Sequence, residues 1–133
     1  MQHNIGMQHP ALRIWDGAAT YPRDITRFNY FGFTAEVIAP LAADTVFQIQ
    51  AHDPSEADPC VPGPARNVKE VPLCDRDITA DTDAQVTIPA GTPVGQFCTF
   101  AIPCRPGKFV SIAAVSGDTA DVFINLNLSG PQF

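Results

Sequence analysis

At 133 residues the chain is long enough for one domain with a single buried core. Val, Ile and Thr number 30, against 10 for Leu, Glu and Lys together, which favours half-buried strands over exposed helices. A net charge of −6, drawn from 11 Asp with only two Lys, argues against nucleic-acid phosphates or an anionic membrane as partners, and no run approaches the ~18 apolar residues of a membrane span.

Residues 1–10 (MQHNIGMQHP) are polar and aperiodic and read as an N-terminal arm. The first 20 residues contain no basic segment followed by an apolar run, so the expectation is a chain made without a signal peptide. The remainder, 11–133, reads as one domain. Ala11–Trp15 is a short first strand, closed by the turn signal Asp16-Gly17. In Phe28–Ile38 the aromatic alternation changes parity at Gly32, which predicts a bulge that re-aims the strand. Thr45–Ala51 alternates strictly, with Phe47, Ile49 and Ala51 inward and Gln48 and Gln50 outward.

A long insertion follows over 52–83. Its first part, to Asp75, carries Pro54, Pro59, Pro62, Pro64 and Pro72 with Cys60 and Cys74. Proline removes donors and fixes φ, so an ordinary central strand is not expected there, and Pro64–Glu70 has room for one helical turn. Strand patterning resumes at Ala84–Pro89, with Val86 and Ile88 on one face, and continues through Gln96–Ile102, Lys108–Val115 and Thr119–Leu128. In the last of these Val122, Ile124, Leu126 and Leu128 share a face. Seven or eight strands joined by short turns predict an all-β antiparallel sandwich or jelly roll.

The cysteine spacing is C-x13-C-x23-C-x5-C (Cys60, Cys74, Cys98, Cys104), without the tight pair from which a structural zinc site is built. Cys98 alternates with Phe100 and Ile102 and is expected to face the core as a free thiol. Cys60, Cys74 and Cys104 fall in loops and are the disulfide candidates. A Cys60–Cys74 bond would close a 15-residue ring worth about 3 kcal/mol. The loop cysteine then left over could cross-link to a neighbouring chain. Four cysteines allow three pairings, and spacing does not choose among them.

Asp75, Asp77, Asp81 and Asp83 could offer carboxylates to calcium, but the run lacks the glycine and terminal glutamate of a calcium loop, so no cofactor is expected. His3, His9 and His52 are the only imidazoles, and no metal-hydrolase or serine-nucleophile motif accompanies them. The reading is therefore not an enzyme, and His52-Asp53 is taken as a surface pair at a strand end. Asn127-Leu128-Ser129 matches a glycosylation sequon that an unexported chain would not use. A carbohydrate-binding module is the alternative. Gln48, Gln50, Asn125 and Asn127 would supply hydrogen bonds and Trp15, Tyr21 or Tyr30 the aromatic platform.

Residues 84–97 (AQVTIPAGTPVGQF) and the closing segment 119–133 (TADVFINLNLSGPQF) carry a resemblance. From about Phe28 onward the chain resembles the small all-β virion proteins of tailed bacteriophages, especially capsid decoration or cement proteins. The resemblance implies a sandwich that binds the outer capsid surface, with the major capsid protein and copies of itself, often as a homotrimer, for partners. It implies synthesis in the host cytoplasm, stabilisation of the head and no catalysis. An acidic exterior suits the outside of a nucleic-acid container. Extensions would reach adjacent subunits, with His3 and His9 in the arm and Pro59, Pro62 and Arg66 in the loop as candidate assembly contacts. A neck, tail or fibre-attachment protein is the second alternative.

Overall fold

Alternating apolar side chains become strand wherever one face of the segment can be buried. The computed structural model describes residues 12–28, 30–70, 82–100 and 106–129, with backbone alone at Tyr30, Glu70, Thr82 and Cys98. A four-stranded antiparallel sheet pairs β1 (Leu12–Trp15) with β11 (Val122–Ser129), β11 with β3 (Tyr30–Val37), and β3 with β9 (Phe97–Phe100). In the second sheet β2 (Arg23–Asp24) pairs with β10 (Phe109–Ser116), and β10 with β4 (Thr45–His52). The free edge of β4 is shared end to end by β5 (Arg66–Asn67) and β8 (Gln85–Ile88). Between those two the chain makes a separate ribbon of β6 (Lys69–Glu70) and β7 (Thr82–Asp83). The fold is the expected all-β antiparallel sandwich.

The core lies between the sheets. Phe33, Val37, Ile124 and Leu126 come from one side, and Phe47, Ile49, Val110 and Ile112 from the other, each at most 3% exposed. Burying each such side chain contributes roughly 1.5–3 kcal/mol. Trp15 reaches across the gap to the edge of Phe47, with ring centroids 5.8 Å apart, while Phe33 stacks on Phe100 at 5.0 Å.

Several local expectations are corrected. Gly32 sits opposite Asn127 in a β3–β11 ladder that runs from Tyr30 to Val37 without a register shift, so the strand has no bulge there. The bulges fall instead between Arg13 and Trp15 and between Ala114 and Ser116. Pro64–Glu70 contains β5 and β6 rather than a helical turn, because Arg66 and Asn67 find free ladder positions on β4. Thr119–Asp121 forms a short 3-10 turn before β11, so the closing strand starts at Val122. His52, placed at the start of the insertion, is the last residue of β4.

Gln48 does not face solvent. Three chain segments meet at Ile49, Val68 and Ala84 in a closed ring of backbone hydrogen bonds. Val68 N–H donates to Ile49 O (3.0 Å), Ala84 N–H to Val68 O (2.8 Å), and Ile49 N–H to Ala84 O (3.0 Å). The Gln48 amide Nε2 sits over this ring, 2.7 Å from Ile49 O, 3.2 Å from Ala84 O and 3.4 Å from Val68 O. It plugs the point where the β6–β7 ribbon leaves the sheet, and its own exposure falls to 3%.

Candidate functional site

Register places a grid of side chains on the outer face of the four-stranded sheet. In one row Phe97 lies opposite Glu36, and Glu36 opposite Phe123. In the next, Thr99, Thr34, Asn125 and Arg13 follow one another across β9, β3, β11 and β1. A third row begins with Gly32 and Asn127. Strands about 4.8 Å apart and rows about 7 Å apart make an area roughly 14 Å on a side. Phe97 is 60% exposed. The Arg13 guanidinium lies 4.2 Å from the centre of the Phe123 ring, a cation–π contact. At Gly32 lies a shallow open depression of about 300 Å³, lined also by Phe33, Thr34, Thr99, Phe100 and Asn127. Asn127 Nδ2 donates to Thr34 Oγ1 at 2.6 Å, fixing both rotamers.

The rim of the sandwich next to Phe97 differs in character. Ile38 follows β3, Val94 lies in the turn before β9, and Val115 lies at the bulge in β10. All three are exposed at this end of the two sheets. The loops beneath them are braced. Asp118 Oδ2 accepts from Ala42 N–H (2.7 Å) and Ala43 N–H (3.1 Å), Asp44 Oδ1 from Ala90 N–H (2.8 Å), and Leu41 O from Gly91 N–H (3.0 Å). Gly117 adopts φ +84°, and a Cβ there would come within 2.3 Å of Asp44 O, so only glycine fits this corner. These aspartates cap loop amides, which spends part of the chain's acidity on holding the rim in shape.

At the opposite end, residues 53–63 fold back as a hairpin over the outer face of the five-stranded sheet. Gly63 N–H bonds Asp53 O at 2.7 Å and Ser55 N–H bonds Val61 O at 2.8 Å, with Pro54 bridged to Pro62 between them. His52 lies underneath, 7% exposed, with Nδ1 2.8 Å from Gly63 O and Nε2 2.7 Å from Ser111 Oγ. A carbonyl only accepts, so Nδ1 donates to Gly63 O, and Nε2 pairs with the Ser111 hydroxyl. His52 is therefore a buried tie between β4, β10 and the hairpin, not the surface pair expected. The structure also brings together a serine and a histidine that the sequence did not connect. Ser111 is 1% exposed, so the pair fastens the hairpin to the sheet rather than offering a nucleophile to solvent.

The other sequence-selected residues are spread apart. Pro59, Pro62 and exposed Cys60 lie in the hairpin. Pro59 O accepts from Lys108 Nζ at 2.9 Å, and the Cys60 thiol is free. Arg66 is turned onto its own fold, 3.3 Å from Asp53 Oδ2 and 2.5 Å from Pro106 O. Asp83 bonds Lys69 Nζ and Asn67 Nδ2, and the Lys69 ammonium holds its carboxyl below the usual range. His3, His9, Cys74, Cys104, Asp75, Asp77 and Asp81 lie outside the described residues, and Cys98 is placed by its backbone alone, opposite Ala35. Of the aromatics considered for a sugar platform, Trp15 is buried and donates Nε1–H to Thr119 O, while Tyr21 is exposed but bonded to Asp16. Among the described residues Phe97, which is not among those candidates, is the most exposed aromatic ring. Among the described residues no helix is long and apolar enough to cross a membrane, and no group of three or more acidic, histidine or cysteine side chains is placed to hold a metal. Searches of protein-family models and of curated protein sequences returned no match to this chain.

Proposed function

We propose that this chain is a virion structural protein, a decoration protein that binds the outer surface of a capsid and stabilises it without catalysis. The observation that carries the reading is the braced rim, where exposed Ile38, Val94 and Val115 stand on loops already ordered by side-chain caps. A preordered apolar rim loses little conformational entropy on docking, which suits a protein that must seat the same way at many equivalent sites. The resemblance in 84–97 and 119–133 supports the same reading, since the turn at Pro89–Pro93 belongs to this rim. Partners on this view are the major capsid protein and further copies of the chain.

The test is sedimentation of the chain with undecorated capsid particles. The double variant Ile38→Asp/Val94→Asp, both positions exposed, should bind at least tenfold more weakly while keeping its far-ultraviolet circular dichroism. Unchanged decoration by that variant removes the rim from the reading. Absence of the chain from particles of its native source removes the virion reading itself. Hundreds of copies per particle would place it on the shell, and a dozen or fewer on a neck, tail or fibre attachment.

A further inference from the structure

We infer that the outer face of the four-stranded sheet is a binding platform for an uncharged glycan, with Phe97 as its stacking ring and the Thr34–Asn127 pair as its central hydrogen-bonding group. The inference goes beyond the capsid reading, which rests on the rim. A pyranose ring presents two kinds of surface, an apolar C–H face and a perimeter of hydroxyls that both donate and accept. Phe97 offers a flat apolar surface, 60% exposed, for the first. For the second, Thr34 and Thr99 supply hydroxyls, and Asn125 and Asn127 supply amides that donate and accept at once.

The positions of these groups favour a sugar over other ligands. Thr99 is two residues from Phe97 on the same face of β9, so a ring stacked on Phe97 has its hydroxyls beside the Thr99–Thr34–Asn125 row. Asn127 already donates one N–H to Thr34 Oγ1, which leaves Oδ1 of Asn127 to accept and the Thr34 hydroxyl hydrogen to donate toward a ligand. Both side chains are held before binding, so less rotamer freedom is lost when a ligand arrives. The depression above Gly32, about 300 Å³, admits a substituent projecting from the sugar ring.

Charge selects the class of ligand. The whole chain carries −6, yet among the described residues of this face the Glu36 carboxylate is balanced by the Arg13 guanidinium. Neither an anionic nor a cationic polymer gains a net attraction there. A protein partner is the poorer fit, because the centre of a protein interface is apolar and here the centre is Thr34 and Asn125, with one open aromatic ring at the edge. The rim with Ile38, Val94 and Val115 matches a protein surface far better.

Affinity electrophoresis of the full chain tests this, in gels cast with mannan, galactomannan, xyloglucan, laminarin or dextran, and with alginate as the anionic control. At least one neutral polysaccharide should retard the chain. Phe97→Ala should weaken that retardation at least tenfold, and Asn127→Ala severalfold, with unchanged thermal unfolding midpoints because both side chains are exposed. The rim variant Ile38→Asp/Val94→Asp should be retarded like the parent chain, which keeps the platform separate from capsid docking. Retardation by none of the neutral polysaccharides overturns the inference. So does equal retardation by alginate, or retardation that survives both Phe97→Ala and Asn127→Ala. Loss of capsid binding in Phe97→Ala without any polysaccharide retardation would make this face a lattice contact, overturning the glycan assignment while leaving the capsid reading standing.

Discussion

The two outer faces of the sandwich begin from the same kind of sequence and end differently. Gln48, Gln50 and His52 alternate along β4 much as Asn125 and Asn127 do along β11. On the five-stranded sheet Gln48 and His52 lie covered, at 3% and 7% exposure, with Ser111 beside them at 1%. The four-stranded sheet has no such cover among the described residues, and Thr99, Asn127 and Phe97 stay in solvent. Under the hairpin His52 and Ser111 find partners inside the fold, and at the ribbon junction the Gln48 amide nitrogen does so while its Oε1 stays buried without a partner, a group of the kind that costs about 1–3 kcal/mol. Polar groups on the open face keep part of their hydrogen-bonding capacity for something else. The covered face therefore contributes stability, and the open face is the place to look for binding.

This contrast is sharpest at Gln48. Replacing it with Glu sets a carboxylate against the carbonyls of Ile49, Val68 and Ala84, the oxygens its amide now approaches. The expected cost is about 3 kcal/mol or more, read as the shift of the urea midpoint near neutral pH. Asn127→Asp on the open face should move the same midpoint by less than about 0.5 kcal/mol. Equal shifts at the two sites would erase the distinction between the faces.

A smaller effect is expected at Ser111. Ser111→Ala leaves His52 Nε2 without its partner beneath the hairpin and should cost about 1–2 kcal/mol. It should also speed amide exchange at Ser55 and Gly63, whose N–H groups hold the hairpin closed. Thr99→Ala, its counterpart on the open sheet, should change neither. Unaltered exchange in Ser111→Ala would mean that the hairpin is held by its own ladder and by Arg66, not by the His52 tie.

What the sequence made legible follows from how far its signals reach. Strict alternation in β11 correctly predicted Val122, Ile124, Leu126 and Leu128 as one buried face, and in β4 it correctly predicted Phe47, Ile49 and Ala51. Alternation cannot say whether the second face is covered, since that depends on residues distant along the chain. Gln48 is buried by carbonyls 20 and 36 positions away, and His52 by Gly63 and by a serine 59 positions away. One local sign was present. Phe109, Val110, Ser111 and Ile112 are four consecutive buried residues, and a strand apolar or small on both faces is one covered on both. A platform criterion of Trp and Tyr leaves Phe97 unmarked, although its alternation with Cys98 and Phe100 points it outward. At Gly32 a change of parity suggests a bulge, yet Phe31 and Phe33 both pack on the core from a regular strand.

The smallest expected effect lies where the chain crosses from one sheet to the other. Between β1 of the open sheet and β2 of the covered one, the Asp16 carboxylate accepts the Tyr21 hydroxyl at 2.7 Å and the amides of Ala19 and Ala18 at 2.7 and 2.9 Å. These bonds favour the charged form, with the Tyr21 hydroxyl the largest influence, and lower the Asp16 pKa from 3.8 to about 2. A depressed carboxyl stabilises the fold above its unfolded value, near 3.8, and that contribution is lost as pH falls through about 2. Because the group lies at a surface turn, solvent screens its effect on global stability, and the sensitive readout is the Asp16 carboxyl resonance during an acid titration. Tyr21→Phe should move the midpoint upward from about 2, yet leave it short of 3.8 because the two amides still donate. A midpoint that does not move would show that the amides alone order the turn. The crossing between the faces would then be set by the backbone, with Tyr21 only resting on it.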